Sequence, residues 1–346
     1  MVKKVRVEDS VGLKIGHDMT KVIPGVYHGA AFKRGQVVKS EDVQTLLDMG
    51  KKYIFVEQEF DVEQESDGLV HEEDAARRLA IAFAGPGLRY SDVKQGRIDI
   101  ISNMFGLLKI DLPLLKEINS IDNIVLATRH DGSVIEPDMV VAGTKIVPLF
   151  IEESSLSRVE EICSGKDKVL QILPFKLRKI GVVVTGSEVY SGRKKDGFGD
   201  VIKQKVQAFG GHIEYLEIVD DDENMISRAI ITAKNKGCEA IMVCGGLAVD
   251  PDDITVTGLK KSGAEIISHG TPVIPGAMFT LAEIGNIPVI GVPALVLVFK
   301  STILDVILPR ILAGHRITKE EIKELGHGGL CLDCSPCLFP VCPFCK

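Results

Sequence analysis

The sequence predicts an α/β fold: a three-layer, doubly wound, mostly parallel sheet in the second half, preceded by α+β and β-rich N-terminal domains. Three observations carry that prediction. Beyond Phe175, near-continuous aliphatic runs alternate with amphipathic stretches of helical period, the pattern of buried parallel strands wrapped by helices. Short Gly- and Ser-containing turns follow the aliphatic runs directly, as strand-to-helix connections do. The first half is instead a mosaic of short β-type runs and isolated helical stretches. A chain of 346 residues, 45% of them hydrophobic, has apolar material for two or three cores of domain size.

Residues 1–65 form a small α+β unit, with β-type runs at 11–15, 36–38 and 53–56 and a helix over 40–50. Ser40 opens that helix as a capping box, and Gly50 suits the position just past its end. An acidic, aliphatic-poor stretch at 57–68 reads as a linker. Residues 66–174 are a second α+β domain: a helix over 71–84 stopped by Gly85-Pro86-Gly87, strands at 99–101, 124–128 and 144–151, and a helix at 112–118. The polar stretch 152–168 separates it from the α/β domain, 175–316. There the strands are 180–185, 212–219, 240–244 and 289–292, and the helices 198–209, 223–236, 255–262 and 294–312. Residues 317–346 are a Cys-rich tail.

A net charge of -7 without a long Lys/Arg cluster removes the electrostatic footprint of nucleic-acid binding. The apolar stretch 287–299 is interrupted by Pro288, Gly291 and Pro293 and falls short of the roughly 20 residues that span a bilayer, so no membrane span is expected. The N-terminus carries charge but no apolar signal region, and a cytoplasmic protein is expected.

Ligands of open α/β sheets sit beyond the carboxyl ends of the strands, which directs attention to the loops there. Thr185-Gly186-Ser187-Glu188 follows the first strand, with Gly186 permitting close approach of an anion and two hydroxyls as donors. An ordinary strand-to-helix turn would look the same. Gly245-Gly246 follows another strand and leads to Asp250, Asp252, Asp253 and Thr255. Three carboxylates beside a double glycine suit Mg²⁺ shared with a ligand phosphate, although Asp252 or Asp253 could simply cap the next helix. Pro275-Gly276 would add a rigid wall at the sheet edge. The acidic run from Asp220 to Glu223 precedes a helix and is read as complementing its dipole.

These loops resemble the molybdenum-cofactor biosynthesis domain shared by molybdopterin adenylyltransferases, molybdopterin molybdotransferases and the competence/damage-inducible protein A family. The likeness spans 177–312. Thr185-Gly186-Ser187-Glu188 is similar to the molybdotransferase Thr-Gly-Asp-Glu motif except at Ser187, and Gly245-Gly246 through Asp253-Ile254-Thr255 to the family's Gly-Gly loop and Asp-x-Thr. His17-Asp18-Met19-Thr20, Lys33-Arg34-Gly35 and Ser40-Glu41-Asp42 resemble elements of the molybdotransferase N-terminal segment. The resemblance implies a pterin bound across the two loops through Thr185, Gly186, Ser187, Gly245, Gly246, Asp252, Thr255, Pro275 and Gly276. It implies Asp253 at Mg²⁺ with help from Asp250, Glu188 as a polar anchor, molybdate insertion with release of AMP, and a homodimer. Two departures stand out. Gly291-Val292-Pro293-Ala294-Leu295 replaces a Leu-Pro-Gly-Asn-Pro stretch, and Pro275-Gly276 lacks the basic residue that follows it in the family. The alternatives are a metal-dependent nucleotide pyrophosphatase, as in the competence-protein branch, and a non-catalytic molybdopterin carrier.

Five of the eight cysteines, Cys331, Cys334, Cys337, Cys342 and Cys345, crowd the tail at metal-ligand spacing, interleaved with Pro336, Pro340 and Pro343. So short a segment needs an organiser, and zinc or an iron–sulfur cluster fits. Cys238 and Cys244 are expected as buried hydrophobes, and Cys163 carries no chemistry.

Overall fold

The computed structural model describes residues 2–57, 68–165, 168–247 and 254–346. The chain divides into two compact units, one built from Met1–Met104, Leu108–Asp131 and Ile135–Ile172, the other from Phe105–Leu107, Gly132–Val134 and Leu173–Lys346.

The first unit is antiparallel. Val2–Arg6 pairs with Tyr53–Glu57, and Met19–Ile23 forms a hairpin with Tyr27–Phe32. A four-stranded sheet runs in the order Leu88–Tyr90, Arg97–Ser102, Val140–Ile146, Ile124–Thr128. The helix Glu72–Phe83 buries Ala75, Leu79 and Phe83 and is capped by His71, whose ring accepts the Glu73 amide. Several expectations change here. The run at 11–15 makes only isolated bridges, Lys14 to Val37 and Ile15 to Val56, because Gly12 turns the chain with φ +85. The helix expected from Ser40 starts at Asp42 with no side-chain cap. The Asp42 carboxylate instead turns back to accept the Lys39 amide at 2.9 Å. The strand expected over 144–151 breaks in two, since Pro148 has no amide for a ladder; Phe150–Glu152 pairs separately with Leu69–His71. The polar stretch at 152–168 contains the helix Glu153–Ile162, which buries Leu156 and Val159, three residues apart on one face.

The second unit carries the predicted sheet. Its six strands run in the order His212–Val219, Lys179–Thr185, Ala240–Cys244, Ile287–Val292, Thr280–Ile284, Glu265–His269. The first four are parallel; Thr280–Ile284 pairs antiparallel with both of its neighbours, so Glu265–His269 again runs in the direction of the first four. Alternation along the strands makes three layers. Val182, Val184, Met242 and Ile290 face the helices Phe198–Gln207 and Ile303–Leu312, while Val183, Ile241, Val243 and Val289 face Glu223–Asn235 and Thr255–Lys261. Burial on both faces is why these strands are aliphatic throughout.

The long helix expected over 294–312 is two elements. A 3-10 turn, Ala294–Leu297, is followed by a fresh start at Thr302, which forms a capping box with Asp305 and opens Ile303–Leu312. The antiparallel strands Glu265–His269 and Thr280–Ile284 were not anticipated, their alternation being short and bounded by a Pro-rich loop. Among the described residues no helix is long and apolar enough to cross a membrane.

Candidate functional site

Two loops predicted from strand ends meet at one edge of the six-stranded sheet. Thr185 ends its strand, 4% exposed, and Gly186 turns the chain at φ +151 with its amide on the Val219 carbonyl at 3.3 Å. Ser187 then opens the short helix Ser187–Tyr190. On the adjacent parallel strand Cys244 is followed by Gly245 at φ +98 and Gly246 at φ +60. Both glycines are sterically required. A Cβ on Gly245 would lie 2.5 Å from the Thr185 carbonyl oxygen, and one on Gly246 2.5 Å from the Thr255 hydroxyl. Thr255, fully buried at the start of its helix, donates its hydroxyl to the Gly245 carbonyl at 2.9 Å. The structure therefore brings Thr185, Gly186, Ser187, Gly245, Gly246 and Thr255 together.

Two further residues join them. The Thr185 hydroxyl donates to Asp221 Oδ1 at 2.7 Å and the Ser187 amide to Asp221 Oδ2 at 2.9 Å, while the Ser187 hydroxyl donates to Asp220. Only Asp222 of this acidic run caps the helix, accepting the amides of Asn224 and Met225 at 2.9 and 2.8 Å. Those backbone donors hold its carboxyl below the usual range. The helix-dipole reading thus accounts for Asp222 and misses Asp220 and Asp221. The signal was present: the run follows the strand His212–Val219 just as the other two loops follow theirs. Glu188 is exposed on the same turn, its carboxylate 3.1 Å from where a Gly186 Cβ would stand.

The edge therefore combines hydroxyls, bare glycine main chain and two carboxylates. Thr185 and Ser187 are oriented by Asp220 and Asp221 rather than left to rotate, which is preorganisation of the kind binding sites need.

Asp250, Asp252 and Asp253 lie outside the described residues. Pro275 and Gly276 take their hydrogen bonds elsewhere: the Pro275 carbonyl accepts the Ile303 amide at 3.3 Å, and the Gly276 carbonyl accepts the Phe279 amide at 2.9 Å. Gly276, at φ +122, abuts the Ile303 side chain 2.4 Å from where a Cβ would stand.

The tail is organised by packing. Phe344 and Cys345 are buried in the core of the second unit, and Cys331, Phe339 and Cys342 pack against it. Cys337 lies 3.1 Å from the Ser301 hydroxyl, whose hydrogen bond lowers the thiol's pKa, and Cys334 is exposed. Among the described residues no group of three or more His, Cys, Asp or Glu side chains is arranged to hold a metal ion. The aromatic anchors Phe339 and Phe344, 6.2 Å apart edge to face, contribute to that packing, which the sequence reading of zinc or an iron–sulfur cluster as organiser did not include. Cys238 and Cys244 are buried, and burial raises the pKa of both thiols, as expected of small hydrophobes; Cys163 behaves likewise.

Residues 181–313 match the family described as "Probable molybdopterin binding domain", and residues 4–58 match one described as "Domain of unknown function (DUF8806)". A molybdopterin adenylyltransferase of Pyrococcus furiosus is 27% identical over 95 residues, 28% of this chain and 56% of that protein. A CinA-like protein of Mycobacterium avium is 32% identical over 90 residues, 26% of this chain and 21% of its own length. The chain thus spans well under two thirds of each of these relatives. A solved molybdopterin biosynthesis protein from Pyrococcus horikosii is 15% identical, covering 71% of this chain and 80% of its own, with a TM-score of 0.34. Residues 181–313 are thus similar to a probable molybdopterin binding domain, a likeness confined to the second unit.

Proposed function

We propose that the edge formed by Thr185-Gly186-Ser187 and Gly245-Gly246 binds molybdopterin through its phosphate, and that the protein acts in molybdenum cofactor biosynthesis. The observation that carries the reading is the contact of the two loops: the Gly245 backbone lies against the Thr185 carbonyl so closely that no side chain fits. Glycine at 245 is what lets the two strand-end loops close on each other, so that one ligand could span both. The match of residues 181–313 to a probable molybdopterin binding domain supports the ligand class.

The chain's own residues have separable roles in this reading. Asp221 fixes the Thr185 hydroxyl and the Ser187 amide, Asp220 fixes the Ser187 hydroxyl, and Thr255 braces the double glycine. The reaction we assign is release of AMP from adenylated molybdopterin with insertion of molybdate, by a homodimer in the cytoplasm. A phosphoanhydride beside carboxylates needs its charge offset, and magnesium would supply that chemistry when bound. The described residues do not by themselves make such an ion site, and the roles assigned to Thr185, Asp221 and the glycines do not require one.

The resemblance of Gly245-Gly246-Leu247 and Asp252-Asp253-Ile254-Thr255 to the competence-protein branch offers a second reading, hydrolysis of a nucleotide diphosphate bond, and a CinA-like protein is among the relatives. One anaerobic assay separates the two: purified protein is incubated with adenylated molybdopterin plus molybdate, or with ADP-ribose, and AMP is quantified. AMP from the first substrate alone supports the transferase. AMP from ADP-ribose alone supports the pyrophosphatase, and binding without AMP from either leaves a carrier.

A further inference from the structure

The turn Thr185–Ser187 is ringed by negative charge. Asp220 and Asp221 accept its hydroxyls and the Ser187 amide, and Glu188 stands exposed on the same turn. Among the described residues none of these three carboxylates is in an ion pair. A phosphate brought to the turn meets like charge at short range, and only a cation placed beside it reverses the sign of that interaction.

The residues that follow supply such a cation. The chain leaves the short helix Ser187–Tyr190 through Ser191-Gly192-Arg193-Lys194-Lys195, and the last three are consecutive, exposed and without an acidic partner among the described residues. Hydrogen bonds fold this basic loop back on the turn. The Ser191 hydroxyl donates to the Ser187 carbonyl at 2.6 Å, and Arg193 Nε donates to the Ser191 hydroxyl oxygen at 2.9 Å. The Lys194 amide donates to the Glu188 carbonyl at 2.9 Å, and Gly192, at φ +73, makes the reversal between them. Arg193 is thus tethered by Nε, through one serine, to a residue of the candidate site.

We infer that Arg193 is a ligand-binding residue of this edge, held by Ser191 so that its guanidinium grips the phosphate of molybdopterin. The inference rests on the reading of the edge as a molybdopterin site and adds the cation which that reading needs.

The tether decides why arginine serves here and lysine does not. Guanidinium carries five N–H donors in a planar fork; with Nε spent on Ser191, the donors of both Nη atoms remain for two phosphate oxygens. An ammonium has one nitrogen, so it either keeps the serine or turns to the phosphate. Fixing the side chain before the ligand arrives lowers the ordering cost of binding. Lys194 and Lys195 add positive potential at the same loop, which draws an anion toward a turn that otherwise repels it.

Anaerobic titration of full-length protein with molybdopterin, in EDTA at low and at physiological ionic strength, tests the assignment. The charge-matched control is Lys203→Ala, which removes an exposed lysine from the helix Phe198–Gln207. Arg193→Ala should weaken binding about tenfold or more, the loss expected for hydrogen bonds to a charged group, with Arg193→Lys intermediate and Lys203→Ala close to wild type. Added salt should weaken binding by the wild type more steeply than by Arg193→Ala. Ser191→Ala should weaken binding by the wild type and cost nothing further in the Arg193→Ala background, because the serine acts through the guanidinium. Urea midpoints equal to wild type confirm that these exposed-loop variants are folded. Equal affinity of Arg193→Ala and wild type, a loss matched by Lys203→Ala, or a Ser191→Ala loss that persists without Arg193 would overturn the inference while leaving the molybdopterin reading intact. Folded wild type that binds no molybdopterin would overturn both.

Discussion

The carboxylate of Asp221 accepts the backbone N–H of Ser187 at 2.9 Å, and its other oxygen takes the hydroxyl of Thr185 at 2.7 Å. One side chain from the strand end after Val219 thereby holds the turn that follows the neighbouring strand. Removing it leaves the hydroxyl of a residue only 4% exposed with the long 3.5 Å contact to the Asp220 carbonyl, and the Ser187 amide without its acceptor. Asp221→Ala should cost about 2 kcal/mol, the penalty for leaving buried polar groups unsatisfied. Urea denaturation measures this, and Asp221→Asn should recover part of the loss.

The contact between the two loops makes a sharper comparison between glycines. Gly245→Ala places a methyl 2.5 Å from the Thr185 carbonyl at φ +98, whereas Gly237→Ala, at φ +79, meets nothing within 4 Å. Backbone strain applies to both and steric overlap only to the first. Gly237→Ala should cost about 1–2 kcal/mol and Gly245→Ala roughly 2–5 kcal/mol, by strain plus overpacking. Equal thermal shifts for the two variants would show that the loops do not touch as described.

How far the sequence foretold this site depended on periodicity. The aliphatic strands Lys179–Thr185 and Ala240–Cys244 were legible because burial on both faces leaves no polar alternation, and the loops after them followed from the strand-end rule. Asp220 and Asp221 were missed because Asp222 satisfies a helix-cap explanation that was extended to its neighbours. The break of 294–312 at Thr302 was hidden by an unbroken apolar run, in which a capping box is easily read as helix interior. The packing of the tail could not be anticipated, since it depends on Phe344 reaching a distant core rather than on any local pattern.

In the first unit, Arg78 joins two helices. Its guanidinium donates to both Glu153 oxygens at 2.7 Å and to both Glu160 oxygens at 2.8 Å. These hydrogen bonds hold both carboxyls below the usual carboxylate value. The stabilisation is therefore present above the ordinary value of 4.5 and is lost as pH falls through the lowered ones. Because all three side chains are partly solvated, Arg78→Leu should cost only about 1 kcal/mol at neutral pH. It should also flatten the acid limb of the stability profile, measured by urea midpoints from pH 3 to pH 7 (roughly the carboxylate range).

His71 should give a second pH dependence. Its Nδ1 faces the Glu73 amide at 3.3 Å and Arg34 Nη1 at 3.1 Å, which assigns a neutral ring with the proton on Nε2 toward the Gly16 carbonyl at 3.3 Å. Burial, then the charge of Arg34, lowers its pKa from 6.5. The contribution is complete above that value and is lost as pH falls through the lowered one. His17 is lowered by burial as well, whereas Glu72, raised by burial, loses its contribution as pH rises through the carboxylate range and so opposes them. Comparing wild type with His71→Gln isolates the histidine: the variant should be less stable at neutral pH and show a shallower decline on acidification below 6.5.

The central claim is that the joined Thr185 and Gly245 loops bind molybdopterin, and anaerobic calorimetric titration of full-length protein tests it most directly. The prediction is saturable binding by wild type, weakened by Gly245→Ala and retained by Gly237→Ala. Absence of binding by folded wild type, or equal affinity in all three proteins, would contradict it.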